Sequence, residues 1–388
     1  MQFTTLLLSA AGTALAARPF LGEPDTGIDE ALGVYAANKT LPPLSKIVSL
    51  PDFDWAARQV MNTSSYTYYR NGAGGEWSYR NNLEAFSRFR LRPRTLVDIT
   101  GIESTLNTTI LGYNFSAPFF ISPAARAGYG NEKGEIGLVE GAAQGNILYM
   151  AALYATLTIE EIAAAKKNSS QVTFQQVYLD NNDTATRAIF QRAEKAGSKA
   201  IIFTVDSAAD GVRHRAARYG VGSADTTYSY ITWEYYRKLQ KMTTLPIIIK
   251  GIMTVEDAKL AVQNGAPAII LSNHGGRQLD GSPSSIEVAL EIHTQAPEVF
   301  KKIEVYADGG VRYGVDVLRL LALGVRAVGL GRPFMYANVY GTAGVVRAIE
   351  LLKREVALDA ANLGVADLGR IDGSFVKWDG GVVNGWMQ

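Results

Sequence analysis

The stretch LPIIIKGI at residues 245–252 predicts a short strand that is apolar on both faces and carries a lysine near its end. Similar short apolar runs recur between residues 117 and 331 and alternate with Ala-, Glu- and Lys-rich stretches typical of helices. The eight runs are PFFIS (118–122), ILYMA (147–151), TFQQVYL (173–179), AIIFTVD (200–206), PIIIKG (246–251), AIILSN (268–273), IEVYADG (303–309) and AVGLG (327–331). Because strands that are apolar on both faces must be covered on both sides, eight such units predict a parallel (β/α)8 TIM barrel.

The alternative architecture is a doubly wound open sheet, which predicts the motif G-x-G-x-x-G after an early strand. The glycines at 72, 74 and 75 follow a predicted helix instead, and the pair Gly329 and Gly331 lacks a third glycine. The barrel is therefore favoured. We expect residues 1–16 to be a signal peptide, residues 17–116 an N-terminal helical or irregular capping segment, and residues 117–388 the barrel with a C-terminal tail.

Composition excludes several classes of function. The 388 residues contain no cysteine, so disulfides, zinc–thiolate sites and cysteine nucleophiles are impossible. The 38 basic and 37 acidic residues give no global charge that would attract nucleic acid or an anionic membrane. Three histidines, His214, His274 and His293, are the only candidates for an imidazole base.

The N-terminus MQFTTLLLSAAGTALA resembles a secretory signal with cleavage after Ala16, although it lacks a basic residue at its start. The alternative is a disordered or core-packed N-terminus. Six N-x-S/T sequons favour the secretory pathway and N-glycosylation; they are Asn38, Asn62, Asn107, Asn114, Asn168 and Asn182. No later run is apolar and long enough to predict a membrane helix.

Polar residues stand at the carboxyl ends of the predicted strands, where barrels carry their active sites. They are Gln176 and Tyr178; Thr204 and Asp206; Lys250; Ser272 and Asn273, followed by His274 and Arg277; Asp308, Gly309 and Gly310, followed by Arg312; and Gly331 with Arg332. Convergence of six such ends on one barrel mouth predicts an active site there.

The last two strand ends combine glycines with Arg312 and Arg332. Glycine lets backbone amides approach an anion closely, and arginine adds forked donors, so these loops predict a phosphate site. Tight turns and solvated surface charges are the alternatives.

His274 is the candidate base, because it lies in a glycine-rich turn and not on an apolar helix face. Asp206 is placed to orient it and stabilise its protonated form. The arginines at 213 and 277 suit a substrate carboxylate, and Lys250 brings a cation into the mouth. The alternatives are a structural loop histidine and a snorkelling lysine. No second histidine accompanies His274, so no metal site is expected.

The stretch SNHGGRQLDG (272–281), with LPIIIKGI before it and YADGGVRYGVDVLRLLALGVRAVGLGRPF (306–334) after it, resembles the FMN-dependent α-hydroxy-acid oxidases and dehydrogenases, which include glycolate oxidase and lactate oxidase. The resemblance extends from about Tyr66 to the last barrel helix. It implies FMN as the cofactor.

The resemblance also implies roles for individual residues. Asp206 and His274 match the catalytic pair, and Tyr68, Tyr178, Arg213 and Arg277 match substrate-binding positions. The positions that match flavin- or phosphate-binding residues are Pro123, Ala124, Ala125, Ala152, Gln176, Thr204, Lys250, Ser272, Asp308, Gly309, Gly310, Arg312, Gly331 and Arg332. At Ala152 many members carry serine or threonine, so one flavin hydrogen bond is expected to be missing.

The implied reaction is oxidation of an L-2-hydroxy acid to a 2-oxo acid, with O2 as the acceptor and H2O2 as the product. The alternatives are a larger, non-standard substrate, another acceptor, or a non-catalytic binding protein. Family members often form tetramers. The segment between Arg213 and Lys250 is shorter than in many relatives, which predicts an open mouth and tolerance of bulky substrates. Its tyrosines Tyr228, Tyr230, Tyr235 and Tyr236 either roof the site or pack on a helix surface.

Overall fold

The computed structural model describes residues 26–179, 182–222 and 231–379. The N-terminal segment contains four α-helices, α1 (Ile28–Ala37), α2 (Leu50–Val60), α3 (Thr63–Tyr69) and α4 (Trp77–Glu84), three 3-10 turns (Leu44–Lys46, Ala85–Arg88 and Ile102–Thr105) and three strands, β1 (Phe89–Leu91), β2 (Thr108–Ile110) and β3 (Tyr113–Phe115). Local capping sets where these helices begin. Ser49 and Asp52 form a capping box at the start of α2, and the Asn62 side chain accepts a hydrogen bond from Ser64 N at the start of α3.

Eight parallel strands form the centre of the molecule: β4 (Phe119–Ile121), β5 (Leu148–Ala151), β6 (Thr173–Val177), β7 (Ile201–Thr204), β8 (Ile247–Ile252), β9 (Ala268–Leu271), β10 (Glu304–Asp308) and β11 (Ala327–Leu330). Each strand pairs with the next, and β11 pairs with β4, so the sheet closes into a barrel. The prediction of a (β/α)8 TIM barrel is confirmed: seven of the eight apolar runs contain a barrel strand, and β8 extends one residue beyond its run, to Ile252.

Helices cover the barrel: α5 (Ile136–Gly145), α6 (Ile159–Ala164), α7 (Asp183–Lys195), α8 (His214–Arg218), α9 (Trp233–Leu239), α10 (Val255–Gln263), α11 (Ser285–Gln295), α12 (Val299–Lys302), α13 (Gly314–Ala322), α14 (Arg332–Ala337) and α15 (Gly341–Leu363). The short turns are Ala127–Tyr129, Asn338–Tyr340, Leu368–Arg370 and Gly373–Phe375. Strand β12 (Val376–Trp378) pairs antiparallel with β1 and ties the C-terminal tail to the N-terminal segment. No helix in the described ranges is long and apolar enough to cross a membrane.

The barrel interior is filled by inward side chains such as Phe120, Phe174 and Tyr306, all fully buried. The hairpin β2–β3 adds Ile110 and Phe115 to the same cluster. Its Leu111 N–H donates to Glu304 at the start of β10, 3.1 Å away, so the hairpin lies at the amino ends of the strands. Only the carboxyl ends are left for a site.

The predicted signal peptide, Tyr228 and Tyr230 lie outside the described residues. Tyr235 and Tyr236 are buried in α9, where the Tyr236 hydroxyl donates to Ile247 O at 2.8 Å. These two tyrosines pack on the barrel wall, in agreement with the helix-surface alternative.

Candidate active site

A polar layer covers the apolar interior at the carboxyl ends of the strands. Side chains two residues apart on a strand share a face, so each polar residue of this layer follows an inward apolar residue: Gln176 follows Phe174, Thr204 follows Ile202, Lys250 follows Ile248, Ser272 follows Ile270 and Asp308 follows Tyr306. All five polar residues are at most 6% exposed. Along each of these strands, the inward side chain therefore changes from apolar to polar within two residues, and together the polar side chains form a buried polar floor.

Lys250 is the central charge of this floor. Its Nζ donates to Ser272 Oγ at 3.0 Å and lies 3.6 Å from Asp206 Oδ2 and 3.9 Å from Asp308 Oδ2. Burial by itself would lower the pKa of Lys250, but the carboxylates of Asp308 and Asp206 outweigh burial and raise the pKa. Lys250 is therefore a permanent buried cation, and the snorkelling alternative is excluded by its 4% exposure.

The neighbouring strands orient the rest of the floor. Gln176 Nε2 donates to Thr204 Oγ1 at 2.9 Å, while Leu153 N, directly after Ala152, donates to Gln176 Oε1 at 3.0 Å. Ser122 Oγ donates to Asp308 Oδ2 at 3.2 Å. Each side chain has a defined orientation before any ligand binds.

His274 stands above the floor and is held by Asp206. Its Nδ1 is 2.7 Å from Asp206 Oδ1, and its backbone adopts φ +59°, a left-handed conformation that turns the ring away from the strand direction. The absence of a side chain at Gly251 makes room for the pair, because a Cβ at residue 251 would lie 2.7 Å from the Asp206 Cβ. Since the carboxylate accepts the Nδ1 proton, Nε2 carries the free lone pair.

The charges around this pair keep the imidazole neutral and the carboxylate ionised. Burial, reinforced by Lys250 and Arg213, lowers the pKa of His274 although Asp206 opposes the effect. Burial also disfavours ionisation of Asp206, but His274 and Lys250 outweigh burial and hold the pKa of Asp206 below its usual range. A neutral histidine beside an ionised aspartate is the arrangement of a general base.

Tyr178 faces the free nitrogen of this base. Its hydroxyl is 3.3 Å from His274 Nε2, and burial together with the charge of Asp206 raises the pKa of Tyr178. The Tyr154 ring stacks on Tyr178 with centroids 5.4 Å apart. The hydroxyl therefore stays protonated and can donate to a ligand atom that also contacts Nε2.

Two arginines and Tyr68 form a cationic wall near this group. Arg277 Nη1 donates to Tyr68 O at 2.6 Å, and its guanidinium lies 5.3 Å from the Tyr68 ring centroid. Arg213 Nε donates to Arg277 O at 2.9 Å, and its Nη2 donates to Gln278 Oε1. Among the described residues, neither arginine forms a salt bridge with an acid.

This arrangement lowers the pKa of Arg277. Burial and the repulsion of Arg213 and Arg332 lower the pKa of the Arg277 guanidinium to about 9. A desolvated cation next to other cations gains most from a bound anion. The wall is thus preorganised for a carboxylate.

The glycine-rich end of β10 lies against α4. Gly309 and Gly310 have φ of +102° and +84°, and a Cβ at residue 310 would lie 1.9 Å from Asn82 O. Asn82 and Asn273 exchange two side-chain hydrogen bonds of 2.8 Å. The Arg312 backbone N–H donates to Asp316 Oδ2 at 3.1 Å, which fixes the following turn.

The end of β11 presents a different arrangement. Arg332 Nε donates to Tyr69 O at 2.9 Å, and Nη2 donates to Gly275 O at 2.9 Å and Asn71 O at 3.1 Å. This guanidinium ties the loop after α3 to the His274 loop, a structural use that the sequence did not indicate. Gly331 faces open space, because a Cβ there would meet nothing closer than the Ser122 Cβ at 4.0 Å.

Several supporting residues were not found by sequence reasoning. They are Ser122, Gly251, Asn82 and Gln278, whose Nε2 donates to Ser207 Oγ at 2.8 Å. Asn273, the partner of Asn82, was indicated by its place at a strand end. The other two histidines lie elsewhere: His214 is exposed, and His293 Nδ1 is 3.1 Å from Leu323 O. No group of three or more metal-ligating side chains occurs in the described ranges.

Comparison with known proteins identifies the family of this site. Residues 57–227 and 222–378 match the family described as FMN-dependent dehydrogenase. The chain belongs to this family. Glycolate oxidase 1 of Oryza sativa subsp. indica is 34% identical over 369 residues, which cover 87% of this chain and 97% of that protein. L-lactate dehydrogenase (cytochrome) of Saccharomyces cerevisiae is 35% identical over 85% of this chain, and the match spans 61% of its length.

Solved structures agree with this assignment to the FMN-dependent dehydrogenases. A flavocytochrome b2 variant superposes with a TM-score of 0.84 at 34% identity, covering 89% of this chain and 91% of that one. A mandelate oxidase variant gives 0.77 at 35% identity, covering 83% and 96%. FMN is the cofactor of this family and of this chain.

The residues present fit FMN. A flat ring with polar edges needs a buried floor of donors and acceptors, which Gln176, Lys250 and Ser272 supply. Ala124 and Ala125 are small and half-buried, so they leave room for a ring above them. A phosphate needs backbone amides without side chains in the way, and Gly331 meets that need.

Proposed function

We propose that this protein oxidises an L-2-hydroxy acid to the corresponding 2-oxo acid. The observation that carries the proposal is the neutral His274, fixed by Asp206 at 2.7 Å, with its free Nε2 3.3 Å from the Tyr178 hydroxyl beside a cationic wall. One side of this group binds a carboxylate and the other removes a proton, which are the two needs of 2-hydroxy-acid chemistry. Relatives named glycolate oxidase and L-lactate dehydrogenase support it.

The substrate carboxylate binds to Arg277 and Arg213, with Tyr68 as a further partner. Arg277 uses Nη1 on the backbone of Tyr68 and Tyr69, which leaves Nε and Nη2 without a partner among the described residues. A carboxylate at this place also relieves the repulsion between the two guanidinium groups. Binding therefore orients the 2-hydroxyl group toward Tyr178 and His274.

His274 Nε2 accepts the proton that leaves the substrate, while Asp206 stabilises the imidazolium that results. Tyr178 donates to the substrate oxygen and holds it in place. The residues of the floor would hold FMN, which would supply the two-electron acceptor needed when the C–O single bond becomes a carbonyl. The closed floor of the barrel excludes water from below.

The cofactor-binding set remains as the resemblance implies. Gln176, Thr204, Lys250 and Ser272 would hold the ring edge, Pro123, Ala124, Ala125 and Ala152 would lie beside the ring, Asp308 would contact the ribityl chain, and Gly309, Gly310, Arg312, Gly331 and Arg332 would surround the phosphate. Binding of phosphate by Arg332 would require its side chain to exchange backbone carbonyls for phosphate oxygens.

The test is a His274→Ala variant. It should purify yellow and loaded with FMN, yet show almost no flavin reduction when L-lactate or another 2-hydroxy acid is added without oxygen. His214→Ala is the matched control, because His214 is exposed on α8. Flavin reduction by His274→Ala at a rate near that of the unmodified protein would contradict the proposal.

We propose O2 as the electron acceptor, supported by the similarity to oxidases. Hydrogen peroxide should appear when substrate is added in air. The similarity to a cytochrome-type dehydrogenase favours the alternative of a protein acceptor. Absence of peroxide, with rapid reduction of cytochrome c, would support that alternative.

The segment between Arg213 and Lys250 bears on substrate size. It is short, and its described parts form α8, α9 and the start of β8. We propose that it leaves the mouth accessible to bulky acids. The test is to measure turnover of glycolate, L-lactate and L-mandelate, whose side chains increase in size in that order. Strict preference for glycolate would exclude this part of the proposal.

We also propose that the chain enters the secretory pathway and carries N-glycans. All six sequon asparagines are exposed, as glycan attachment requires. Expression in a eukaryotic host, with glycosidase treatment and mass analysis of cell and medium fractions, tests this; a protein found in the cells without glycans would refute it.

Light scattering of the same sample tests the homotetramer expected from the family.

A further inference from the structure

A side pocket opens next to the barrel mouth. It has a volume of about 680 Å³ and is lined by Arg126, Tyr129, Leu153 and Tyr154, with Glu132 among the remaining lining residues. None of these residues has a role in the proposed function so far, apart from the stacking of Tyr154 on Tyr178. A substrate side chain longer than that of lactate needs a place to lie, so the pocket raises the question of what it accepts.

Two rings that line the side pocket, those of Tyr154 and Tyr129, contact rings of the proposed active site. Tyr154 stacks on Tyr178 at 5.4 Å, and Tyr178 in turn reaches His274. On the other side, the Tyr129 ring meets the Tyr68 ring edge-on at 5.2 Å. A ligand whose carboxylate lies on Arg277 therefore has this pocket as its neighbouring space.

Arg126 is held in an unfavourable backbone conformation. Its φ is +60°, in the left-handed region that non-glycine residues rarely adopt. Tyr69 donates its hydroxyl proton to Arg126 O at 2.6 Å, and Arg126 N donates to Tyr154 O at 3.3 Å. Two contacts to residues of the mouth thus stabilise the turn that carries this side chain.

The guanidinium of Arg126 has no acidic partner within the part of the chain that the structure describes. Nη1 donates to the Tyr129 hydroxyl at 2.7 Å, and the group lies over the Tyr68 and Tyr129 rings at 5.1 and 5.6 Å. No described carboxylate forms a salt bridge with it, including the exposed Glu132 of the same pocket. A cation packed on aromatic rings beside a cavity is a ready anion-binding group.

The spacing of two arginines limits the ligand. Arg126 and Arg277 lie 5.1 and 5.3 Å from the same Tyr68 ring centroid, so their guanidinium carbons are within about 10 Å of each other. A carboxylate carbon lies roughly 4 Å from the guanidinium carbon that binds it. Two carboxylates separated by a two- or three-carbon chain can therefore span the distance between the two arginines, whereas lactate offers a single carboxylate.

We propose that the side pocket binds a second anionic group of the substrate through Arg126, so that four- and five-carbon L-2-hydroxydicarboxylic acids are preferred substrates. This inference rests on the proposed function. The reaction is unchanged: one C–H and one O–H bond break, a carbonyl forms, two electrons pass to FMN and then to the acceptor, and two protons leave. The distal carboxylate takes no part in bond changes.

The test compares L-2-hydroxyglutarate with L-2-hydroxyglutaramic acid, in which a neutral amide replaces the distal carboxylate, in the FMN-loaded protein. We expect kcat/KM for the diacid to exceed that for the amide at least tenfold. Arg126→Met, which removes the charge but keeps an unbranched side chain and the same backbone demand, should reduce this ratio at least tenfold, and Arg126→Lys should retain part of it. Lys133→Met removes an exposed charge nearby and should leave the ratio unchanged.

A measurement without turnover separates this inference from the proposed function. The oxidised protein is titrated with 2-oxoglutarate and with 2-oxopentanoate, and the flavin spectrum reports binding; we expect the diacid to bind at least tenfold more tightly and to lose that advantage in Arg126→Met. If no hydroxy acid reduces the flavin, the proposed function fails while this preference can still be measured. Equal affinity for the two oxo acids, or an advantage that persists in Arg126→Met, would overturn the inference.

Discussion

The bond between Asp206 and His274 allows a quantitative prediction for the variant Asp206→Asn. Asparagine keeps the size of the side chain and still offers Oδ1 to His274 Nδ1, 2.7 Å away in the present structure. The negative charge is lost. The imidazolium that forms when His274 accepts a proton then has no counter-charge, and Lys250, 3.6 Å from the same carboxylate, repels it.

The size of the effect follows from burial. Two unit charges about 4 Å apart interact by about 4 kcal/mol at an effective dielectric constant near 20. Removal of one partner of a buried pair costs about 3–5 kcal/mol. Because each 1.36 kcal/mol is a factor of ten in rate, we expect flavin reduction to slow by about 200- to 5,000-fold. Substrate affinity should change little, since the arginines that bind the carboxylate are untouched.

The assay is anaerobic stopped-flow reduction of the flavin by saturating L-lactate at pH 7.5. Flavin absorbance of the purified variant establishes that FMN is still bound. Asp210→Asn is the matched control, because Asp210 is an exposed acid close to Arg213 with no contact to His274, and it should slow reduction less than about threefold. A rate for Asp206→Asn within tenfold of the unmodified protein would refute the assigned role of the charge.

Three further perturbations test other parts of the site. Because burial lowers the pKa of His274 below its usual value of 6.5, the acid limb of kcat/KM should have its midpoint below pH 6.5, since His274 must be neutral to accept the proton; a midpoint above pH 7 would contradict this. Gly310→Ala forces a Cβ to within 1.9 Å of Asn82 O at a φ of +84°, so thermal melts should show a lower Tm and FMN should dissociate more readily. The control is Gly101→Ala, which places its Cβ more than 4 Å from any atom beyond its chain neighbours and should behave as the unmodified protein. Equal Tm values for the two variants would exclude the clash. Lys250→Met leaves two buried carboxylates without their cation, so urea unfolding at pH 7.5 should show a loss of about 3 kcal/mol in the free energy of unfolding; a loss below about 1 kcal/mol would count against the ion pairs.

The barrel could be predicted because its signal is local. Each strand, such as Ile247–Ile252, is apolar on both faces and follows a helix-forming stretch, so the alternation alone indicates eight covered parallel strands. The polar strand ends were visible for the same reason. Since strand ends of a parallel barrel must meet at one rim, the positions of Lys250, Asp308 and Gln176 already implied that they converge.

The contacts that support these residues could not be predicted, because they join distant parts of the chain. Asn82 of α4 pairs with Asn273 after β9, and Arg332 donates to the backbone at Tyr69. Nothing in the local sequence around Asn82 marks it as part of a site. Gly251 is similar, because its need to lack a side chain appears only once Asp206 of the neighbouring strand is in place.

The sequence by itself determined the architecture, the rim of the barrel that carries chemistry, and the residue types available there, since all three follow from short-range periodicity and strand direction. Only the tertiary structure decided which charges compensate one another. Lys250 has two carboxylates within 4 Å, whereas Arg277 and Arg126 have no acidic partner in the described chain. That difference depends on burial and on distances between residues far apart in sequence, and it separates the cation that holds the site together from the cations left to bind an anion.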